Sequence, residues 1–127
     1  MTTPLTSVTH HVTQTDLVRY AGASHDFNPI HFDESIARQY GLPGIIAHGM
    51  FTMGLITRLL EPLLVQGYHV TEWSNRFRAM VPVNQTVIIS GTCEETAPST
   101  LAVSVTVTIQ DHPKPALTGT ITLSRAT

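Results

Sequence analysis

Two runs in the second half of the chain alternate apolar and hydroxyl-bearing side chains with a period of two. Val103, Val105, Val107 and Ile109 are interleaved with Ser104, Thr106 and Thr108. Leu117, Gly119, Ile121 and Leu123 are interleaved with Thr118, Thr120 and Thr122. Successive side chains of an extended strand point to opposite faces, so each run presents one apolar and one polar face. Both runs therefore predict half-buried strands lying with one side against a core. Residues 73–80 and 85–93 read as two further strands. Turn-forming residues at 94–99 and 110–115 separate them.

The first half follows a different rhythm. Residues 7–13 read as a strand. Thr15 then reads as the N-cap of a short helix, with Asp16 in its first turn, that ends near Gly22. Pro29 disfavours helix at Asn28, so 24–30 should be a loop. Asp33 can cap a second short helix through Tyr40, closed by Gly41. Gly41, Pro43 and Gly44 then make a turn. Residues 48–60 are the longest helix candidate. Met50, Phe51, Met53, Leu55, Ile56, Leu59 and Leu60 cover most of its circumference, which predicts a buried helix. Pro62 should kink or end it. Helices first and strands afterwards predict an α+β fold, an antiparallel sheet wrapped around one buried helix, in a single domain over 1–127.

The chain has 127 residues, 42% of them apolar, enough for a core with little to spare, so a dimer that buries more surface is expected. A net charge of -2, a single lysine (Lys114) and no basic run argue against nucleic acid as a partner. The N-terminus lacks a charged region followed by a long apolar one, and no run is long enough to span a bilayer. A cytoplasmic protein without a membrane segment is the expectation. Cys93 stands alone, which leaves no intrachain disulfide and no CxxC site, and it reads as a small buried apolar residue.

One segment stands apart for its chemistry. Asp26-Phe27-Asn28-Pro29-Ile30-His31 places a carboxylate and an imidazole on either side of a proline turn, where both can converge on one water. Adding water across a conjugated acyl thioester needs such a pair, for activating the water and for delivering a proton to C2. It also needs a donor for the thioester oxygen, which becomes negative as the enolate forms. Gly49, in Ala47-His48-Gly49, lies at the expected start of the long helix. Free N–H groups and the helix dipole there favour negative charge, and glycine allows close approach.

The run from Tyr20 to His31, with Ala47-His48-Gly49-Met50 downstream, resembles the signature of MaoC-like (R)-specific enoyl-thioester hydratases and dehydratases. Single-hot-dog members are the nearest in character, including actinobacterial (3R)-hydroxyacyl-carrier-protein dehydratase subunits. The resemblance covers nearly the whole chain. It implies a hot-dog fold, syn addition of water to a trans-2-enoyl thioester, and a substrate carried on CoA or acyl carrier protein. It also implies a homodimer, or a heterodimer with another hot-dog chain, and no cofactor. Asp26 and His31 would be the catalytic pair and the Gly49 N–H the oxyanion hole. Thr57 would help orient the pair, Asn28 would support the loop, and His48 would pack beside Gly49. Glycine usually precedes the family's aspartate, but here the residue is His25. Histidine tolerates positive φ, and its ring is expected to narrow the pocket entrance or make it more polar.

The same residues admit other chemistries. Seven histidines and the His25-Asp26 dipeptide raise a metal site, with His31 and His48 as further ligands. Metal-dependent HD phosphohydrolases are helical, however, and HExxH spacing is absent, so no metal is expected. A hot-dog thioesterase would use a carboxylate from the long helix, where Glu61 is the only acid and lies far from Gly49. Arg76 and Arg78 share a strand face. They are either solvated surface or contacts for CoA phosphates or an acidic carrier protein. His10, His11, His69 and His112 show no pattern.

Overall fold

The computed structural model describes residues 1–126. Six strands make one antiparallel sheet: β1 (Thr2–Pro4), β2 (Val8–His11), β3 (His69–Phe77), β4 (Thr86–Ala97), β5 (Thr100–Ile109) and β6 (Pro115–Ser124). Three helices accompany it: α1 (Gln14–Ser24), α2 (Glu34–Gln39) and α3 (Gly49–Val65). The strand order is β1-β4-β5-β6-β3, with β2 also paired to β4. Among the described residues, no helix is long and apolar enough to cross a membrane.

The period-two runs behave as the alternation requires. Val103, Val105, Val107 and Ile109 on β5, with Leu117, Ile121 and Leu123 on β6, are buried against α3. The helix contributes Leu55, Ile56, Leu59, Leu60 and Leu63 to the same core. Gly91 on β4 lies in close contact with both the neighbouring strand and α3. A Cβ there would lie 2.6 Å from the Ser104 carbonyl oxygen and 3.1 Å from Leu59 Cδ2, so only glycine fits without displacing backbone.

Several element boundaries differ from the expectation. Thr13, not Thr15, caps α1. Its hydroxyl accepts from the Asp16 N–H at 3.1 Å, and the Asp16 carboxylate accepts from the Thr13 N–H at 3.1 Å. This reciprocal box satisfies two donors, which a cap at Thr15 would not. It also confines β2 to Val8–His11. Helix α1 continues past Gly22 to Ser24 and ends on His25 in the left-handed region, φ 61°. β3 begins just after the α3 turn and leaves the sheet at Phe77, because Arg78 and Ala79 both donate to the Ala116 carbonyl. β4 continues through Ala97, so the turn to β5 is only Pro98-Ser99, with Ser99 at φ 58°. β1 had no counterpart in the sequence reading. By contrast, Asp33 caps α2 as expected, accepting from the Ile36 N–H, and Gly41 follows at φ 81°.

Helix α3 departs most from expectation. It does not end at Pro62 but runs through it to Val65. Proline there removes one hydrogen bond, to the Arg58 carbonyl, worth about 1 kcal/mol net. Arg58 is exposed, so water can take that carbonyl. Burying Leu63, one residue on, is worth about 1.5–3 kcal/mol and offsets the loss. Nor is α3 buried all round. Met50, Gly54, Thr57, Glu61 and Val65 are exposed, because one sheet covers only one side of a helix. Cys93 is half-buried against the core, and burial pushes its thiol pKa up.

Candidate active site

The site is assembled by the α1–α2 connection and the N-terminus of α3. After the His25 cap the chain turns at Asp26, whose Oδ1 accepts from the Asn28 N–H at 3.3 Å. The Asn28 side chain then accepts from the Ile30 N–H at 3.3 Å and caps a 3-10 turn over Pro29–His31. Two successive side-chain-to-backbone turns, with proline fixing φ at the first turn position, give this short loop a defined path. Asn28 thus caps this turn of the loop.

That path brings Asp26 and His31 together. His31 is 8% exposed and the Asp26 side chain 52% exposed, with Nε2 to Oδ2 at 4.0 Å. His31 Nδ1 lies 2.8 Å from the Ile46 carbonyl oxygen. A carbonyl can only accept, so Nδ1 carries a proton, and in the neutral ring Nε2 presents a lone pair towards Asp26. Two acceptors 4.0 Å apart face one another. A water lying about 2.8 Å from each can give one hydrogen to each, leaving an oxygen lone pair free to attack.

His48 is 2% exposed and holds this arrangement from below. Its Nε2–H donates to the Asp26 backbone carbonyl at 3.2 Å. Its ring stacks on His31, with centroids 3.7 Å apart, and receives the Tyr20 ring edge-on at 4.8 Å. Burial, with the nearby His31 adding to it, holds the His48 imidazole pKa below its ordinary value, and the bond to Asp26 only partly opposes this. A neutral His48 is what a stacked neighbour of His31 requires.

Gly49 opens α3. His48, at the N-cap position, makes no side-chain capping bond to the first turn, so the N-terminal N–H groups remain available to an oxyanion. Gly49 and Phe77 line two adjoining cavities. One, about 350 Å³, includes Tyr20, Ser24, Asp26 and His48. The other, about 370 Å³, includes Thr52, Arg78, Met80 and Ala116. A Cβ on Gly49 would stand 3.1 Å from the Phe77 ring.

Two sequence-based site residues lie elsewhere. Thr57 is exposed, and its hydroxyl donates to the Gly54 carbonyl at 2.7 Å. It lies eight residues beyond Gly49, about 12 Å along a helix at ~1.5 Å per residue. His25 is exposed, sits edge-on to Phe27 with centroids 6.2 Å apart, and lines neither cavity. Its ring turns outward because the left-handed cap directs the side chain away from the loop interior. Tyr20, Thr52 and Phe77 line the site without having been singled out for it. Tyr20 alone carried a signal, since it stands six residues before Asp26 in the same motif run.

Asp26, His31 and His48 each offer a donor atom, all within 4.8 Å of one another. His48 Nε2 is used on the Asp26 carbonyl, while His48 Nδ1 is buried without a hydrogen-bond partner. Glu61, the acid a thioesterase would need, is exposed twelve residues beyond Gly49, about 18 Å along the helix.

A model of the MaoC like domain matches residues 1–112. The chain belongs to the MaoC-like family. The (R)-specific enoyl-CoA hydratase of Rhodospirillum rubrum is 34% identical over 77 residues, which are 60% of this chain and 54% of that protein. This MaoC-like chain spans about half or less of the length of the curated relatives it matches. Among solved structures, the (R)-hydratase from A. caviae involved in PHA biosynthesis superposes with a TM-score of 0.87 at 21% identity, covering 99% of this chain and 95% of that one. The ChsH1-ChsH2 complex from Mycobacterium tuberculosis gives a TM-score of 0.86 at 21% identity, covering 97% and 95%. At such identities the likeness concerns the fold, and that fold is the hot dog.

Proposed function

We propose that this MaoC-like chain catalyses the reversible hydration of trans-2-enoyl thioesters, equivalently the dehydration of (3R)-hydroxyacyl thioesters, carried on CoA or acyl carrier protein. The observation that carries this reading is the facing of the Asp26 carboxylate and the His31 Nε2 lone pair across 4.0 Å. A water between them gives up one proton to this pair as its oxygen bonds to C3. The π electrons move towards the thioester, the carbonyl oxygen gains charge at the Gly49 N–H, and C2 receives a proton from the same pair. Dehydration runs these transfers backwards through the same groups.

Hydration of crotonyl-CoA, followed by loss of enoyl absorbance, tests the reading. Asp26→Asn and His31→Ala should each lose about 10²–10⁴-fold in kcat while remaining folded. Full activity in either variant would remove that residue from the mechanism.

A second hot-dog chain belongs to the working assembly in this reading. β3 is a nine-residue strand with an open edge, and Val70 and Phe77 along it are exposed. An unpaired edge of that length is a template for another strand. The partner is a second copy of this chain or a related hot-dog subunit, and the domain over 1–127 supplies the catalytic groups. We assign the reaction to the cytoplasm, where acyl-CoA and acyl carrier protein thioesters are handled, which cell fractionation would test.

A further inference from the structure

The chain has seven Lys and Arg against nine Asp and Glu, so a local excess of positive charge needs a reason. Arg76, Arg78 and Lys114 gather around one open hollow of about 680 Å³, with Phe77, Ala79 and Thr118 also in its wall. The sheet register causes the gathering. Arg76 is opposite Thr118 on β6, Arg78 follows two residues on, and Lys114 lies in the turn that leads into β6.

These cations are not used internally. Among the described residues none has a carboxylate within 4.0 Å, although Glu72 is on the same strand and Asp111 is in the same turn as Lys114. Three of the other four cations are engaged, Arg38 with Glu34, Arg58 with His10, and Arg125 over the Tyr68 ring, while among the described residues Arg19 stands alone on α1. Arg78 is held only by its Nε–H, which donates to Thr118 Oγ1 at 3.1 Å. That bond fixes the guanidinium and leaves its outer N–H fork free for an oxyanion.

The hollow also adjoins the active site. Phe77, Arg78 and Ala79 line both it and the cavity that contains Gly49. The three cations therefore lie one shared wall away from the cavity that contains Gly49. A ligand with a reactive acyl end, an uncharged middle and an anionic far end matches this arrangement. On the reading given above, we propose that Arg76, Arg78 and Lys114 bind the phosphate of the pantetheine arm that carries the acyl group. They anchor the carrier while Gly49 holds the thioester oxygen. CoA and the phosphopantetheine of a carrier protein share that phosphate.

The test compares the full chain with the triple variant R76Q/R78Q/K114Q, and with K114Q alone, on four crotonyl thioesters. These are pantetheine, which has no phosphate, 4′-phosphopantetheine, CoA, and a loaded acyl carrier protein. In the triple variant, the preference for phosphopantetheine over pantetheine, as a ratio of kcat/KM, should fall at least about tenfold through KM. K114Q should show part of that fall. Rising salt should weaken the preference in the parent more than in the variant. A larger fall with CoA than with phosphopantetheine assigns the nucleotide phosphates as well. A fall confined to the carrier protein overturns the proposal in favour of a protein–protein contact. Equal losses with and without phosphate, or none, also overturn it. Calorimetric CoA binding gives a readout independent of turnover. If no thioester is turned over, the reaction assigned above fails, while tenfold weaker CoA binding in the triple variant still upholds the site. Unaltered CoA binding removes it.

Discussion

A single backbone carbonyl decides the chemistry of His31. Because Ile46 accepts from Nδ1, the lone pair points at the aspartate, and the pair is poised before any substrate arrives. His48 does the complementary work of fixing the Asp26 backbone. Its imidazole pKa is held below the ordinary 6.5 by burial, so on acidification the unfolded chain takes up this proton before the folded one does. The contribution to stability is complete above pH 6.5 and is lost as the pH falls through the lower folded value. His48→Asn should therefore flatten the fall in thermal unfolding temperature below pH 6.5, and should lower kcat about tenfold by releasing the Asp26 carbonyl, checked by pH-dependent melting and by assay. Gly49→Ala tests the other side of the site. A methyl group 3.1 Å from the Phe77 ring crowds the oxyanion position. A loss of at least about tenfold in kcat/KM is expected, comparable to removing an oxyanion donor, with a change in stability within about 1 kcal/mol. The candidate pair was legible in the sequence because Asp26 and His31 lie five positions apart around a proline. The partner of His31 was not, because backbone carbonyls carry no residue identity. A hydroxyl on a helix has a default acceptor in the preceding turn, and Thr57 uses it.

Elements were legible where their pattern was long and regular. β5 and β6 follow directly from the alternation of Val, Ile and Leu with Thr and Ser. α2 follows from Asp33 and Gly41. Boundaries that depend on tertiary burial were less readable. α3 passes Pro62 because Leu63 is worth burying, and β1 exists because β4 is long enough to pair with Thr2–Pro4 as well as with β2. Helix α1 shows both cases, since its T-x-x-D box was present in the sequence but its C-cap falls on an unusual residue. His25 sits at φ 61°, a conformation that costs a non-glycine residue roughly 1 kcal/mol. His25→Gly should raise stability by up to about 1 kcal/mol, measured by chemical denaturation. Because the ring faces solvent and lines neither cavity, acyl-chain preference should be unchanged. A shifted preference would restore the imidazole to the pocket entrance.

For the whole molecule, the outstanding feature is what one chain leaves uncovered. The outer face of α3 exposes Met50 and Val65, and the open β3 edge ends at Phe77, whose ring is half exposed at the site itself. In the assembly proposed above, a second hot-dog chain covers these groups, and Phe77 brings that contact into the groove beside Gly49. Light scattering of the purified chain should give twice the mass of the 127-residue polypeptide. A monomeric mass would point to a different subunit as partner, and adding it should then raise activity. The sheet topology also sets an order of events in time. Asp26, His31, His48 and Gly49 lie in the first half of the chain, but Ala47 bonds to Val81, Ile46 bridges to Pro82, and Thr2 waits for Glu94. During synthesis the candidate site loop emerges early and acquires its supports only when the later strands arrive, so the site of this fold is written first and completed last.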